Sequence, residues 1–410
     1  MNSKKNKNKK YGIIEYVATA HQDFDEKAFN HIDSLVLSQL AYIKFEIPAK
    51  KLNKNLKDPH MSLKDFNKAE FFEEMFSDRI SDKENIELFS KAVASKRFRN
   101  IKIKNIVSKM DKDIEKQFAA MTFELNPETS YAAFRGTDGS MLGWKEDFNM
   151  SFMEKVPSQE EAAGYINANF GSKGIFSKKR KIYIGGHSKG GNLAIFASAM
   201  SKPEIHKNII TAFSHDGPGF HKDTLDKILK IAEEDNIKLV KEIPETSIIG
   251  MLLETEEDYK VIESNATGIM QHLSFSLRIQ DDEFVYLDKL SGEGRYVNRT
   301  VSNWLENAPK EKRKVFIDTI FRILEINNIN HAGKLKSLSA SDIKKIVAST
   351  KELDAEEKEI SMEMIKSFMK ISLKSIDGGG IIEKAKEAIT KNKHTIEKFA
   401  SPAGNSEKKK

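Results

Sequence analysis

Apolar residues recur at helical spacing through residues 22–45, QDFDEKAFNHIDSLVLSQLAYIKF, where NHID supplies a capping sequence. Residues 61–118 read mainly as charged helix, although RFRNIKIKNIVSKM within them fits helix or strand. The period then changes. FAAMTFEL and YAAFRGT read as two strands joined by the short turn NPETS. Helix QEEAAGYINANFG follows, then a strand at 181–185, an alanine-rich helix, strand IITAFS, helix KDTLDKILKIAEED and strand IKLVKEI. DYKVIES, LSFSLRI and FVYLD add further strands, the last two flanking QDDE. This alternation predicts an α/β fold, a mostly parallel sheet flanked by helices on both faces.

From about residue 296 the pattern is helical again. VFIDTIFRILEI and EMIKSFMKISL are amphipathic, and SLSASDIKKI between them is a good helix start. Neither stripe can be buried by its own helix, so both predict a partner surface, on the core or over its site. The expected organisation is a basic flexible tail at 1–20, then a helical N-terminal region at 21–115 packed on the core. The α/β core covers 115–290, a helical C-terminal region 291–376, and a flexible basic tail, opened by DGGG, 377–410.

Composition narrows the class. The chain has 410 residues, enough for a large core, and no cysteine, which excludes disulfide and thiol chemistry. Its net charge of +6 would suit a nucleic-acid binder if it lay on one face. Five lysines in residues 1–10 and three in the last six carry more than the whole excess. Specific nucleic-acid binding is therefore not expected, and weak contact of the basic tails with an anionic membrane surface is the most they imply. No apolar run reaches the length of a membrane span, and no secretory cleavage pattern is present, so a cytoplasmic location is the expectation.

The densest chemical signal is KIYIGGHSKGGNLAIFASAM, residues 181–200. An apolar strand runs into Gly186-His187-Ser188-Lys189-Gly190, and an alanine-rich helix leaves it. This is G-x-S-x-G, a sharp strand-to-helix turn that lifts a serine hydroxyl above a sheet edge. A hydroxyl is a weak nucleophile, so Ser188 needs a base, a group orienting that base, and donors for an oxyanion. Six histidines follow it: 206, 215, 221, 272, 331 and 394. His272, in GIMQHLSFSL near the end of the α/β core, has the placement of the base; His221 comes too soon after the turn. For the orienting acid, Asp216 in AFSHDGPGF follows the strand after the elbow helix, and Glu245 in IPETS follows the next strand. Asp216 is favoured on sheet-edge placement, with Glu245 the alternative. The Asp and His spacings match no metal site, and this chemistry needs no organic cofactor.

Three ordered segments, AAFRGTDGSMLGWKEDF, GGHSKGGNLA and SIIGMLLE…YKVIES…GIMQHLSFSLRI, resemble the Mbeg1-like family, a bacterial group similar to class 3 lipases. The resemblance covers roughly residues 25–290 and implies an α/β-hydrolase-like fold acting on a small-molecule or lipid ester by a Ser-His-acid mechanism. It implies oxyanion donors at Thr137, in FRGT, and at the backbone N–H of Lys189. Class 3 lipases carry their catalytic aspartate where this chain reads PETSII, and here Ser247 stands at about that place. Trp144 and Asp147 match a Trp-x-x-Asp pattern, for which packing and capping are the expected roles. Two function classes stay open: a serine esterase of lipase type, and a catalytically silent member of the fold that binds a partner.

Overall fold

The computed structural model describes residues 11–52, 61–77, 81–171, 180–254, 258–331, 334 and 339–374. Its strands are β1 (Lys102–Asp111), β2 (Lys116–Glu124), β3 (Thr129–Phe134), β4 (Lys181–His187) and β5 (Ile209–His215). They continue as β6 (Lys238–Pro244), β7 (Lys260–Ile262), β8 (Ile279–Gln280), β9 (Glu283–Phe284) and β10 (Tyr286–Leu287). Eight form one sheet in the order β1-β2-β3-β4-β5-β6-β7-β10, and β8 with β9 make a separate hairpin. β1, β2 and β3 meander antiparallel, β3 through β7 run parallel, and β10 returns antiparallel on β7. The fold is therefore α/β, a mostly parallel sheet with helices on both faces.

Side-chain alternation assigns each face. On one, Phe118, Ala120, Ala132, Phe134, Ile182 and Ile184 meet the helices Pro157–Phe170, Lys189–Met200 and Lys222–Glu234. On the other, Met121, Phe123, Tyr131, Ala133 and Phe213 are covered by the N-terminal helices Ile13–Thr19, His31–Leu40 and Asp82–Ala94. Adjacent positions on one strand serve opposite layers, as a period of two demands.

Three expectations need correction. The basic tail expected over 1–20 gives way to a helix at Ile13–Thr19, because Ile13, Tyr16 and Val17 fall on one side and are buried. The ambiguous segment at 97–110 contains a strand, so the sheet reaches into the region expected to be helical. A bulge between Lys104 and Val107, with Asn105 at a φ of 53°, puts Ile103 and Ile106 into the same core. That i, i+3 spacing imitates a helix. LSFSLRI, residues 273–279, is not one strand: a 3-10 turn at Ser274–Ser276, close behind another at Gly268–His272, interrupts it, and only Ile279 belongs to a strand, β8. Its serines bend it: Ser276 Oγ donates to Gln271 O (2.9 Å) and accepts from Ser264 Oγ (3.0 Å).

The chain divides into two compact units, Met1–Asn298 with Asn330–Lys336, and Arg299–Ile329 with Ser337–Lys410. Within the second, the helices Lys310–Ile326 and Ala355–Lys374 are linked by the ion pairs Lys312–Glu363 and Arg322–Glu357. Trp304 packs edge-on against Phe316. DGGG, His394, the tail at 377–410 and residues 1–10 lie outside the described residues. Among the described residues no helix is long and apolar enough to cross a membrane.

One buried pair ties the N-terminal region together. The Arg97 guanidinium donates to both oxygens of Asp33 (2.8 and 2.6 Å) and to the carbonyls of Gln22, Asp23, Lys27 and Ala28. It fixes the loop that leads into the helix His31–Leu40. Removing one partner strands the other charge in the core, a loss of about 3–5 kcal/mol. Arg97→Ala is therefore expected to lower unfolding stability by that amount in urea titration. A change below about 1 kcal/mol would show that the pair does not anchor this layer.

Candidate active site

Ser188 stands where β4 stops and the helix Lys189–Met200 begins, with φ 59° and ψ −134°. A non-glycine residue in that region carries roughly 1–3 kcal/mol of backbone strain. The turn is held open by close approach: a Cβ on Gly186 would lie 2.2 Å from the Gly190 carbonyl carbon, and one on Gly190 2.1 Å from Phe134 O. Ser188 N donates to His215 O (3.0 Å), which ties the turn to the end of β5.

Asp216 follows β5 directly, and its N–H donates to Glu242 O on β6 (2.7 Å). It too takes a positive φ, 51°. Its Oδ1 accepts from Ser247 Oγ (2.5 Å) and Gly250 N (3.2 Å). His272 ends a 3-10 turn whose preceding residue is pinned, because Gln271 Oε1 accepts from Thr246 N (2.8 Å) after β6.

These three side chains meet. His272 Nδ1 lies 2.6 Å from Asp216 Oδ2, and His272 Nε2 lies 3.0 Å from Ser188 Oγ. With the carboxylate accepting Nδ1–H, Nε2 is left unprotonated and faces the serine hydroxyl. Glu245 makes no hydrogen bond to His272; its N–H goes to Ile262 O (3.1 Å). Ser247, at the position where an acid was to be sought, instead steadies Asp216.

Thr137 follows β3, and its hydroxyl donates to Asp147 Oδ2. Lys189 offers the first backbone N–H of the elbow helix, which has no intrahelical acceptor. Asp147 thus holds a hydroxyl and caps no helix, which departs from its expected role; Trp144 is 38 % exposed. The cap of that helix, Met141–Asn149, is Ser140, whose Oγ accepts from Gly143 N (3.1 Å).

A family model for Mbeg1-like proteins matches residues 92–322, more than half of the chain. The chain belongs to the Mbeg1-like family. Solved structures to which this Mbeg1-like chain is similar include a fungal lipase in a lipase–inhibitor complex, at 14 % identity. That match covers 65 % of this chain and 93 % of that one, with a TM-score of 0.34. Lipase II from Rhizopus niveus is 14 % identical, over 62 % of this chain and 85 % of that one, with a TM-score of 0.33. M37 lipase is 15 % identical, over 53 % and 68 %, with a TM-score of 0.31. No curated protein matches the chain.

Electrostatics in this Mbeg1-like chain favour an ionised acid. Burial raises the Asp216 carboxyl, but the hydrogen bond and charge of His272 and the Ser247 hydroxyl outweigh it and hold it below the usual range. His187, between Gly186 and Ser188, packs against His272 with ring centroids 4.7 Å apart and planes tilted by 35°. Its Nε2 donates to His272 O (2.7 Å), so its Nδ1 accepts from Tyr42 OH (3.1 Å). Burial, then repulsion from His272, pushes its pKa down to about 3. His187, Tyr42, Glu146 and the Lys189 side chain escape the motif; the one signal among them was a lysine at the start of an otherwise apolar helix.

A second serine–histidine–carboxylate arrangement shows what the first has in addition. His215 Nε2 lies 2.8 Å from Ser34 Oγ, and His215 Nδ1 3.2 Å from Glu242 Oε2. Ser34 is 0 % exposed and sits within a regular helix, so no substrate reaches it. Ser188 is 9 % exposed, on a strained turn at the carboxyl edge of the sheet. A cavity of about 510 Å³ at the β7–β10 edge, lined by Tyr259, Lys260, Tyr286 and Leu287 among others, contains none of the Ser188 cluster. Among the described residues no group of three or more His, Asp or Glu is arranged to hold a metal ion.

The depressed His187 pKa has a pH signature. Below the ordinary value of 6.5 the unfolded chain takes up a proton that the folded state refuses until about pH 3. Stability is therefore fully present above pH 6.5 and is lost as pH falls, by up to about 1.4 kcal/mol per unit. His187→Gln should flatten unfolding free energy between pH 6.5 and 5 relative to wild type. Equal slopes would contradict a neutral, buried imidazole at this position.

Proposed function

We propose that this chain is a serine hydrolase that cleaves carboxylic esters with apolar acyl groups. The observation that carries the reading is the Ser188–His272–Asp216 chain of contacts at 3.0 and 2.6 Å, set on a strained elbow. Ser188 Oγ attacks the ester carbonyl while His272 Nε2 takes its proton. The imidazolium is stabilised by Asp216 and returns the proton to the leaving alcohol as the tetrahedral intermediate collapses to an acyl-enzyme. Water, deprotonated by His272, then releases the acid. The developing oxyanion is received by the Lys189 N–H at the helix terminus and by Thr137, which, with its hydroxyl committed to Asp147, offers its backbone N–H. An Asp216 in hydrogen-bonding position weighs for the hydrolase over a silent binding member of the fold.

Preference for an apolar acyl chain rests on what flanks the site. Trp144 and Phe148, 38 and 49 % exposed, lie one turn apart on the helix that carries Asp147. Ile269 and Met270, 53 and 50 % exposed, sit in the turn that ends at His272. Exposed large apolar side chains on the two segments that carry Asp147 and His272 suit an apolar ligand.

Ser188→Ala should abolish hydrolysis of p-nitrophenyl esters with the thermal midpoint nearly unchanged, because one hydroxyl removed at the edge of the sheet contributes little stability. Asp216→Asn should lower turnover by orders of magnitude, on the order of 10⁴ where the tautomer is lost, and Glu245→Gln should do little. Retained activity in Ser188→Ala, or the reverse ranking of the two acid variants, would sink this assignment. For the acyl preference, kcat/KM should rise at least tenfold from p-nitrophenyl acetate to the octanoate. A flat series would remove the apolar surface from the mechanism.

A further inference from the structure

The residue after the nucleophile carries an ammonium that the motif does not require. Lys189 is 1 % exposed, among the deepest side chains of the chain. Its Nζ donates to Glu146 Oε2 (2.9 Å), Gln117 O (3.0 Å) and Gln117 Oε1 (2.8 Å), which uses all three of its hydrogens. Glu146 is equally committed: Oε1 accepts from Ser158 N (3.0 Å) and Ser158 Oγ (2.6 Å), and Oε2 from Gln117 N (3.0 Å) as well. The cluster therefore locks together the elbow, the start of β2 and the helix Met141–Asn149.

Asp147, the next residue along that helix, sits within the field of the same ammonium. Its Oδ1 is closed off from solvent with no hydrogen-bond partner and lies 3.7 Å from Lys189 Nζ. Its Oδ2 accepts the Thr137 hydroxyl. A line of contacts thus runs from the Lys189 side chain through Asp147 to Thr137.

Resting on the hydrolase reading above, we propose that the Lys189 side chain is a positioning group that sets the oxyanion-donor arm at Thr137, through Glu146 and Asp147. The cation keeps both carboxylates in place beneath the arm. Asp147 then holds Thr137 by its hydroxyl, which leaves the backbone N–H of that residue aimed where negative charge develops. Burial opposes the charged lysine, but Glu146 and Asp147 outweigh it and raise its pKa, so the ammonium persists. Burial raises the Asp147 carboxyl to about 6 against the pull of Lys189 and Thr137, so the nearby cation also keeps that group able to accept.

The test is a kinetic cycle on p-nitrophenyl butyrate with the full chain, rates being normalised to intact active sites by phosphonate titration. Lys189→Met should lower kcat 10- to 100-fold with KM little changed, and should weaken a trifluoromethyl ketone inhibitor by a similar factor. That inhibitor forms a hemiketal oxyanion and so reads the donors directly. Asp147→Ala should do the same, and the double variant should be no worse than the weaker single one, because both act on one arm. If Lys189→Met fails to fold, Lys189→Met with Glu146→Gln removes both charges and must show the same kcat loss. Unchanged kcat per site, or additive losses in the double variant, would overturn the positioning role. A wild type with no turnover would overturn the hydrolase reading first, and the positioning role with it.

Discussion

The close approach of β3, β4 and the elbow helix is the constraint on which the site depends. Gly186 and Gly190 leave no room for a side chain between the turn and the Phe134 carbonyl. That absence lets the chain reverse within one residue and forces Ser188 into its positive φ. It also fixes distances. With β3, β4 and β5 in parallel register, the segments that follow them (Gly136–Thr137, Ser188–Lys189 and Asp216) emerge side by side at one edge. The strain at Ser188 is a local cost offset by the wholly buried helix behind it, whose residues from Lys189 to Ala199 are all out of solvent.

The N-terminal region closes the other face of the sheet and continues into the site. The helix His31–Leu40 lays Ser34 and Ser38 against Tyr131 and leads to Tyr42, whose hydroxyl meets His187. His31 and Tyr286 both reach Glu242 at 2.6 Å, so the end of β6 is held from two sides. Burial works against this carboxylate, yet the histidines His215 and His31 keep it well below the usual range. Glu242 in turn supplies the carbonyl that anchors Asp216 N. Packing of the N-terminal layer and placement of the acid are thus one problem in the folded chain.

Much of this was legible because its cause is local. A strand, a glycine-framed serine and an alanine-rich helix are consecutive in sequence, and the alternation around them dictates a parallel sheet. His272 and Asp216 could be nominated by chain order and sheet edge. What resisted reading is made by tertiary contact or by local irregularity. The bulge at Asn105 gave β1 a helical apolar spacing, and serine hydroxyls turned 273–279 out of the strand that its alternation suggested. The motif gave no role to the Lys189 side chain, because its three acceptors come from β2 and from the helix Met141–Asn149. Ser247 seemed to replace an acid; its meaning appears only with Asp216 2.5 Å away.

On this reading the elbow makes Ser188 a nucleophile, whereas Ser34, with a similar set of partners, is inert. Intact-mass and peptide-mapping analysis after incubation with a fluorophosphonate ester tests it most directly, since only an activated serine displaces the fluoride. A single adduct, mapped to the peptide containing Ser188, and no adduct after heat unfolding are expected. An unmodified chain at neutral and mildly alkaline pH, or an adduct on any other serine, would contradict it.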